Sequence, residues 1–217
     1  MEFTMRKFLV AAAAAFVTTT GANAAVLDFV AEAANNERGV EDGTTITFGA
    51  VDVTFNAVNG FAYFDDVSSG PGGLGVCTTL EDVMTGGLTF ADQCDPTSDD
   101  SISIDDDGAE SVEISFANAI NLSNHTFNDF AHNDISNRDD LTLLINIDGA
   151  GFTSITFADA AALALIGVTS VAYAVDTAAT GTGFYVASVV APLPAAAPFL
   201  ITGLAGLGFA SRRKRSA

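Results

Sequence analysis

The sequence predicts an all-β protein: an antiparallel β-sandwich that resembles a jelly roll and contains one disulfide. Three observations predict this fold. Apolar and polar residues alternate in many short stretches, glycine-rich turns separate these stretches, and only one short stretch favours a helix. Strands that do not alternate with helices favour two packed antiparallel layers over a parallel sheet. We assign this sandwich to residues 25–190.

The alternation is clearest at residues 51–57, 112–116 and 141–148, where almost every second side chain is apolar. This pattern is typical of a strand with one buried face and one wet face. Residues 168–175 and 184–190 are apolar on both faces, so we expect both strands in the interior of a sheet. The other predicted strands are short and are bounded by turn residues: 26–30, 45–48, 61–64, 101–104 and 152–157.

One helix and one long loop complete the predicted fold. The helix is expected at residues 160–166, with Asp159 as its N-cap and Gly167 as its stop. Residues 68–107 begin with a run of glycines and end in a run of acids, which indicates a loop with one short strand at 88–91. Loops of this length are often functional.

The charge of the chain excludes several classes of partner. Residues 25–190 contain two cations, Arg38 and Arg138, against 26 carboxylates, a net charge of −24. Nucleic-acid binding depends on clustered Lys and Arg, so this class is excluded. An anionic lipid surface would repel the same domain. Hydrophobic residues make up 49% of the chain, which is enough to form a core.

Cys77 and Cys94 are the only cysteines, and we predict that they form a disulfide. An even pair in an exported chain is typical of a disulfide because the compartment is oxidising. The chain has no C-x-x-C sequence, so a dithiol redox motif is excluded.

Acidic residues are concentrated between residues 95 and 113, where the carboxylates would repel one another unless a cation is bound. The EF-hand pattern is not met: when Gly108 is placed at the turn, Ser103 and Ile114 fall at the first and last ligand positions. Two interpretations stay open, a solvated acidic surface and a Ca²⁺ site of another geometry. The candidate ligands of that site are Asp95, Asp99, Asp100, Asp105 and Asp107.

The sequence predicts no catalytic residues. His125 and His132 lack both the H-E-x-x-H spacing and a third ligand, so structural or surface roles are expected for them. No nucleophile elbow or P-loop is found. The chain has no Trp, so the aromatic candidates for sugar contact are Tyr63, Tyr173 and Tyr185. We therefore expect that the protein is not an enzyme.

The N-terminus has the features of a secretory signal peptide. Arg6 and Lys7 precede an apolar run at 8–17 and a small-x-small sequence at 22–24. The apolar run is about half of the ~20 residues that a helical membrane span needs. We assign residues 1–24 to the signal peptide and expect the protein to be exported.

Residues 191–217 are assigned to a C-terminal sorting signal. Prolines end the preceding strand, an apolar stretch rich in Gly and Leu follows, and a basic cluster would remain cytoplasmic. The motif residues are Pro192, Leu193, Pro194, Arg212, Arg213, Lys214 and Arg215. A plain C-terminal membrane anchor is the alternative interpretation.

This C-terminal arrangement resembles the bacterial PEP-CTERM class of sorted proteins in its VPLPA-type variant, with Ala191 where that variant has valine. Gly-Leu-Gly-Val-Cys at 73–77 and Phe-x-Asp-x-x-His-Asn at 127–133 are similar to stretches in other proteins of this class. The resemblance implies recognition by an exosortase-type membrane protease. It also implies membrane tethering in transit and release to the cell surface or the extracellular matrix.

The leading expectation is a non-enzymatic protein of the cell surface or extracellular matrix with a structural or adhesive role among exopolysaccharides. The alternative is a Ca²⁺-dependent carbohydrate-binding module that uses the acidic residues 95–107, and a secreted hydrolase comes third. The expected partners are the exosortase-type protease and exopolysaccharide. Contact with the membrane is expected only through the C-terminal segment.

Overall fold

The computed structural model describes residues 24–67, 70–85, 88–95, 100–105, 108–178 and 183–192. Within these residues the chain is mostly strand, and the elements belong to one compact unit. The helices are α1 (Phe29–Asn35) and α2 (Phe157–Ala162). The strands are β1 (Ala25–Asp28), β2 (Arg38–Val40), β3 (Thr45–Phe48), β4 (Val51–Val58), β5 (Phe61–Val67), β6 (Gly70–Cys77), β7 (Leu80–Thr85), β8 (Leu88–Cys94), β9 (Ile104–Asp105), β10 (Gly108–Ala109), β11 (Ser111–Asp129), β12 (Thr142–Ile147), β13 (Thr153–Thr156), β14 (Leu165–Val175) and β15 (Phe184–Ala191).

The strands form two antiparallel layers. Sheet I has the order β2-β5-β6-β15, and β1 also pairs with β15. Sheet II has the order β3-β4-β11-β14-β12-β13. The predicted antiparallel β-sandwich is therefore confirmed. The two strands that are apolar on both faces, β14 and β15, each have neighbours on both sides, as expected.

A single long strand, β11, takes part in both layers. Its first part, from Ser111 to Ser115, pairs with β4 on one side and β14 on the other, in sheet II. Its last part, from Ser123 to Asp129, pairs with β15 of sheet I. Register shifts separate the two parts, which is how a strand bends from one sheet into the next.

Aromatic side chains from both layers meet in the core. The ring of Phe55 in β4 lies 5.5 Å from the ring of Phe64 in β5, measured between centroids. Phe29 of α1 is 6.1 Å from Phe55, and all three side chains are fully buried. Burying each ring stabilises the fold by roughly 1.5–3 kcal/mol. A second group of edge-to-face rings comprises Phe127, Phe157 and Phe184.

The strand predicted at 26–30 is partly wrong, because helix α1 begins at Phe29. The Asp28 carboxylate accepts a hydrogen bond from the Ala31 amide at 2.9 Å and so caps the helix. Phe29 and Ala33, one turn apart, are its buried residues. An apolar run this short can suit either a strand or a buried helix, so burial in the folded chain decides between them.

The helix predicted at 160–166 is displaced: it spans Phe157–Ala162. Its N-cap is Thr156, whose hydroxyl accepts a hydrogen bond from the Asp159 amide at 3.0 Å. Asp159 is thus the third residue of the first turn, the usual acidic position of a capping box, and is not the cap. Residues 165 and 166 already belong to β14.

The long loop predicted at 68–107 is also wrong, because its described parts contain β6, β7, β8 and β9. The glycines of β6 allow other groups to approach the strand closely. A Cβ atom at Gly75 would lie 2.0 Å from the Asp100 carbonyl oxygen, and Gly73 has a φ of +120°. Glycine inside a strand often marks such an approach. The strand predicted at 88–91 is confirmed as part of β8.

The predicted disulfide between Cys77 and Cys94 is confirmed, with the sulfur atoms 2.06 Å apart. Cys77 ends β6 and Cys94 ends β8. The bond therefore ties the β7–β8 hairpin to a strand of sheet I.

Replacing Phe55 with Ala should lower the free energy of unfolding by about 3–5 kcal/mol, because it empties the contact between the two layers. The matched control is Phe130→Ala, since Phe130 is 67% exposed and its loss should cost less than about 0.5 kcal/mol. Urea unfolding of both variants measures the difference. Equal losses would contradict the described core.

Replacing both cysteines with Ala should lower the free energy of unfolding by about 3 kcal/mol. The disulfide joins residues 17 positions apart, and the loop that it closes restricts the conformational freedom of the unfolded chain. Unfolding of the wild-type chain with and without a reducing agent provides the control and should show the same loss. A reduced protein as stable as the oxidised one would count against this assignment.

Candidate functional site

The predicted calcium ligands lie only partly within the described residues. Asp99 and Asp107 lie outside them, and Asp105 is placed by the backbone pairing of β9 with β10. The Asp95 amide donates to the Thr79 carbonyl at 2.9 Å. Asp100 accepts a hydrogen bond from the Tyr185 hydroxyl at 2.5 Å, so it faces β15. No three His, Cys, Asp or Glu side chains among the described residues are arranged to hold a metal ion. The five-residue site therefore stays a prediction.

The predicted sorting motif is described only at Pro192, which follows β15 and is exposed. Its other residues, from Leu193 to Arg215, lie outside the described residues, as does the predicted signal peptide up to residue 23. In the described part of the chain, neither helix is both long and apolar enough to cross a bilayer.

Four titratable side chains lie together on sheet I and form a buried acid–histidine cluster: Asp65, Asp100, His132 and Tyr185. Asp65 belongs to β5, Tyr185 to β15, and His132 to the turn after β11. Asp65 alternates with the core residue Phe64, so it lies on the face of sheet I that points away from the core. The side chains of Asp65 and His132 are nevertheless 0% and 4% exposed.

Glycines of β6 make room for this cluster. Gly73 and Gly75 are paired with Asp65 and Tyr63 of β5, so they lie on the same face of sheet I. A Cβ atom at Gly75 would lie 2.9 Å from the Tyr185 ring, and one at Gly72 would lie 2.8 Å from an Asp65 carboxyl oxygen. Larger side chains at these positions would clash with the Tyr185 ring and the Asp65 carboxyl group.

The contacts of His132 indicate which of its ring nitrogens carries a hydrogen. Its Nδ1 atom contacts the Gly70 carbonyl oxygen, which can only accept, so Nδ1 carries a hydrogen. Its Nε2 atom lies 2.8 Å from Asp65 Oδ2. Two bare lone pairs would repel at this distance, so one proton lies between the imidazole and the carboxyl. The Tyr185 ring packs edge-on against His132, with centroids 5.3 Å apart.

Burial, together with the nearby negative charges of Asp100 and Glu37, raises the pKa of Asp65 to about 8. Glu37 lies beside the cluster and accepts a hydrogen bond from the Tyr63 hydroxyl at 2.8 Å. Burial also raises the pKa values of Glu37 and Tyr63. The cluster therefore holds protons at neutral pH and carries less charge than its composition suggests.

His125 occupies a different place, in the core side of β11. Its Nδ1 atom lies 2.7 Å from the Tyr173 hydroxyl, and both side chains are buried. Burial lowers the pKa of His125 to about 4, so it stays neutral at physiological pH. The two histidines do not meet: His125 contacts Tyr173 in the core, whereas His132 contacts Asp65 on the outer face of sheet I.

The tyrosines expected as sugar contacts are not available for that role. Tyr63, Tyr173 and Tyr185 are at most 2% exposed. Each hydroxyl contacts a buried or half-buried polar partner: Glu37, His125 or Asp100. Sequence reasoning missed the Asp65–His132 pair altogether, because the two residues are far apart in the chain and no spacing in the sequence links them.

No known protein family, curated protein or solved structure matches this chain. The function must therefore be argued from the chain's own residues.

Replacing Asp65 with Asn should remove a pH dependence of stability. The folded chain keeps a proton on Asp65 up to about pH 8, whereas an unfolded Asp loses it near pH 3.8. The folded state thus binds more protons in this window, and wild-type stability should fall as the pH rises through it, by up to about 1.4 kcal/mol per pH unit. The D65N side chain stays neutral, so its urea midpoints at pH 5 and pH 8 should differ less than those of the wild type.

The matched control is Asp82→Asn, which removes an exposed carboxylate on β7 and should leave the pH dependence unchanged. If D65N were instead destabilised equally at pH 5 and pH 8, Asp65 would hold no proton in this window, which would contradict the raised pKa of Asp65.

Proposed function

We propose that this chain is an exported, exosortase-sorted protein of the cell surface or extracellular matrix. Its β-sandwich acts there as a structural or adhesive module and not as an enzyme. The mature domain spans residues 25–190, preceded by a signal peptide and followed by the sorting signal at 191–217.

The observation that carries this proposal is the Cys77–Cys94 disulfide. Disulfides form and persist in oxidising compartments and are rare in the cytosol. Cys77 is fully buried, so the bond belongs to the folded interior of the domain. Export through a signal peptide accounts for this bond.

The burial of the acid–histidine cluster supports a non-enzymatic role. A general acid or base must come within hydrogen-bond reach of its substrate. Asp65 and His132 are instead covered by β6 and by the segment that carries Asp100. Their shared proton contributes to folding and would reach a substrate only if the sheet opened.

The sorting step is proposed from the tail sequence. The last strand ends at Ala191, directly before Pro192, and the basic cluster Arg212 to Arg215 would hold the end of the chain on the cytoplasmic side while the protease acts. Cleavage near the Pro-Leu-Pro triplet releases the domain. Its acidic surface resists adsorption to anionic lipid and keeps the released protein soluble in the matrix.

The test is mass spectrometry of the mature protein from a bacterial host that has an exosortase-type protease and from a matched strain that lacks it. The proposal predicts a chain that begins near Ala25, ends near residues 192–194 and is found in the surface or medium fraction. In the strain without the protease, the chain should stay in the membrane fraction with its tail intact.

Two variants test whether the Pro-Leu-Pro triplet directs the cleavage. Replacing Pro192 and Pro194 together with Ala should block processing, whereas Pro198→Ala, in the same tail but outside the triplet, should not. A mature chain that still ends at Ala217 in the proficient host would overturn the sorting proposal.

A further inference from the structure

A depression of about 170 Å³ lies on the outer face of sheet II, the face that points away from the core. Asn56, Glu113, Ala172 and Asn146 line it and are paired in one row across β4, β11, β14 and β12. Phe152 also lines it and is 47% exposed. Because neighbouring strands are ~4.8 Å apart, the row is roughly 14 Å long.

The row presents polar groups that the domain itself does not use. The Asn56 amide and the Glu113 carboxylate form no hydrogen bond with another described residue. Ala172 lies between Glu113 and Asn146 in the row, and its side chain is too small to fill the space, which leaves a trough beside Glu113. A carboxylate and a carboxamide can together accept and donate hydrogen bonds to neighbouring hydroxyl groups.

The turn that carries Phe152 is fixed by hydrogen bonds. The Asn146 side-chain oxygen accepts from the Gly151 amide at 3.0 Å. Asp148, earlier in the same turn, accepts from the Thr169 and Ser170 amides of β14 at 2.7 and 3.0 Å. These backbone donors lower the pKa of Asp148, so its carboxylate is ionised at neutral pH. Phe152 is thus held in place before any ligand arrives, which reduces the entropy cost of binding.

We propose that this trough binds one ring of a neutral polysaccharide, with the sugar's C–H face on Phe152 and its hydroxyls on Glu113 and Asn56, without calcium. This inference rests on the proposed adhesive role and names its ligand class and its surface.

Charge and shape both favour this occupant. The residues that line the trough include one carboxylate and no cation, and the domain carries a charge of −24, so polyanions are repelled. The depression is smaller than the ~300–1,000 Å³ of pockets that enclose a whole ligand, so it suits one unit of a polymer. An extended peptide would instead be expected to pair with the edge of a sheet, and this site lies on a face.

The experiment measures binding of the full chain, in a zwitterionic detergent that has no sugar headgroup, to dextran, galactomannan and xyloglucan. Alginate serves as the anionic polymer and poly-lysine as the cationic polymer. One series of measurements contains EDTA, and a second contains Ca²⁺ in place of EDTA. We expect binding to at least one neutral polymer and none to alginate. Phe152→Ala should weaken binding by about tenfold or more, as for a buried aromatic anchor.

Matched variants separate the trough from the rest of the surface. Phe130→Ala removes a more exposed ring elsewhere and should leave binding unchanged. Glu113→Gln should weaken binding, while Glu81→Gln, on an exposed position of β7, should not. Thermal melts confirm that each variant folds as the wild type does.

Three results would overturn this inference: no binding to any neutral polymer, binding that Phe152→Ala does not weaken, or binding to poly-lysine alone. Binding that requires added Ca²⁺ would also overturn it and would favour the acidic residues 95–107 instead. A protein that is processed and surface-located but binds no neutral polymer would leave the proposed sorting standing and refute only this inference.

Discussion

Strand β11 is the constraint on which the rest of the structure depends, because it is part of both layers. Its first part places Glu113 on the outer face of sheet II, and its last part leads directly into the turn that carries His132. Within the last part, His125 is buried against Tyr173. The two layers cannot shift against each other without breaking one half of β11. The polar features on both outer faces are therefore held at fixed positions by one strand.

Among the described residues, a few carboxyl groups are buried and many of the others are exposed to solvent. Asp65 and Glu110 are fully buried, and each has a partner that offsets burial: Asp65 shares a proton with His132, and Glu110 accepts from the Ser103 amide at 2.8 Å. The two cations of the domain are already engaged. Arg38 pairs with Glu32 at 2.8 Å and Arg138 with Asp140 at 2.7 Å. The surface therefore offers a binding partner oxygen atoms more readily than positive charge, which supports the proposal of a neutral, hydroxyl-rich ligand.

The alternation of apolar and polar residues was enough to predict β4 and β12, because each has one buried and one solvent-facing side. It failed at β6, where glycines indicated a loop but in fact allow Asp100 and Tyr185 to lie against the strand. It also failed at α1, where a short apolar run suits either structure. Neither the Asp65–His132 pair nor the row beside Phe152 could be predicted, because both depend on strand register and on residues distant in the chain. The predicted tyrosine contacts failed for the opposite reason: the sequence shows aromatic residues but does not show which of them are buried.

The acid–histidine cluster on sheet I is buried, whereas the trough on the outer face of sheet II is accessible to a ligand. Carbodiimide labelling of carboxyl groups in the native protein at neutral pH, read by mass spectrometry, tests it most directly. The account predicts that Asp65 and Glu110 stay unlabelled, that Glu113 and Asp82 are labelled, and that a bound neutral polysaccharide protects Glu113 but not Asp82. Labelling of Asp65 as fast as Glu113, or equal protection of Glu113 and Asp82, would contradict it.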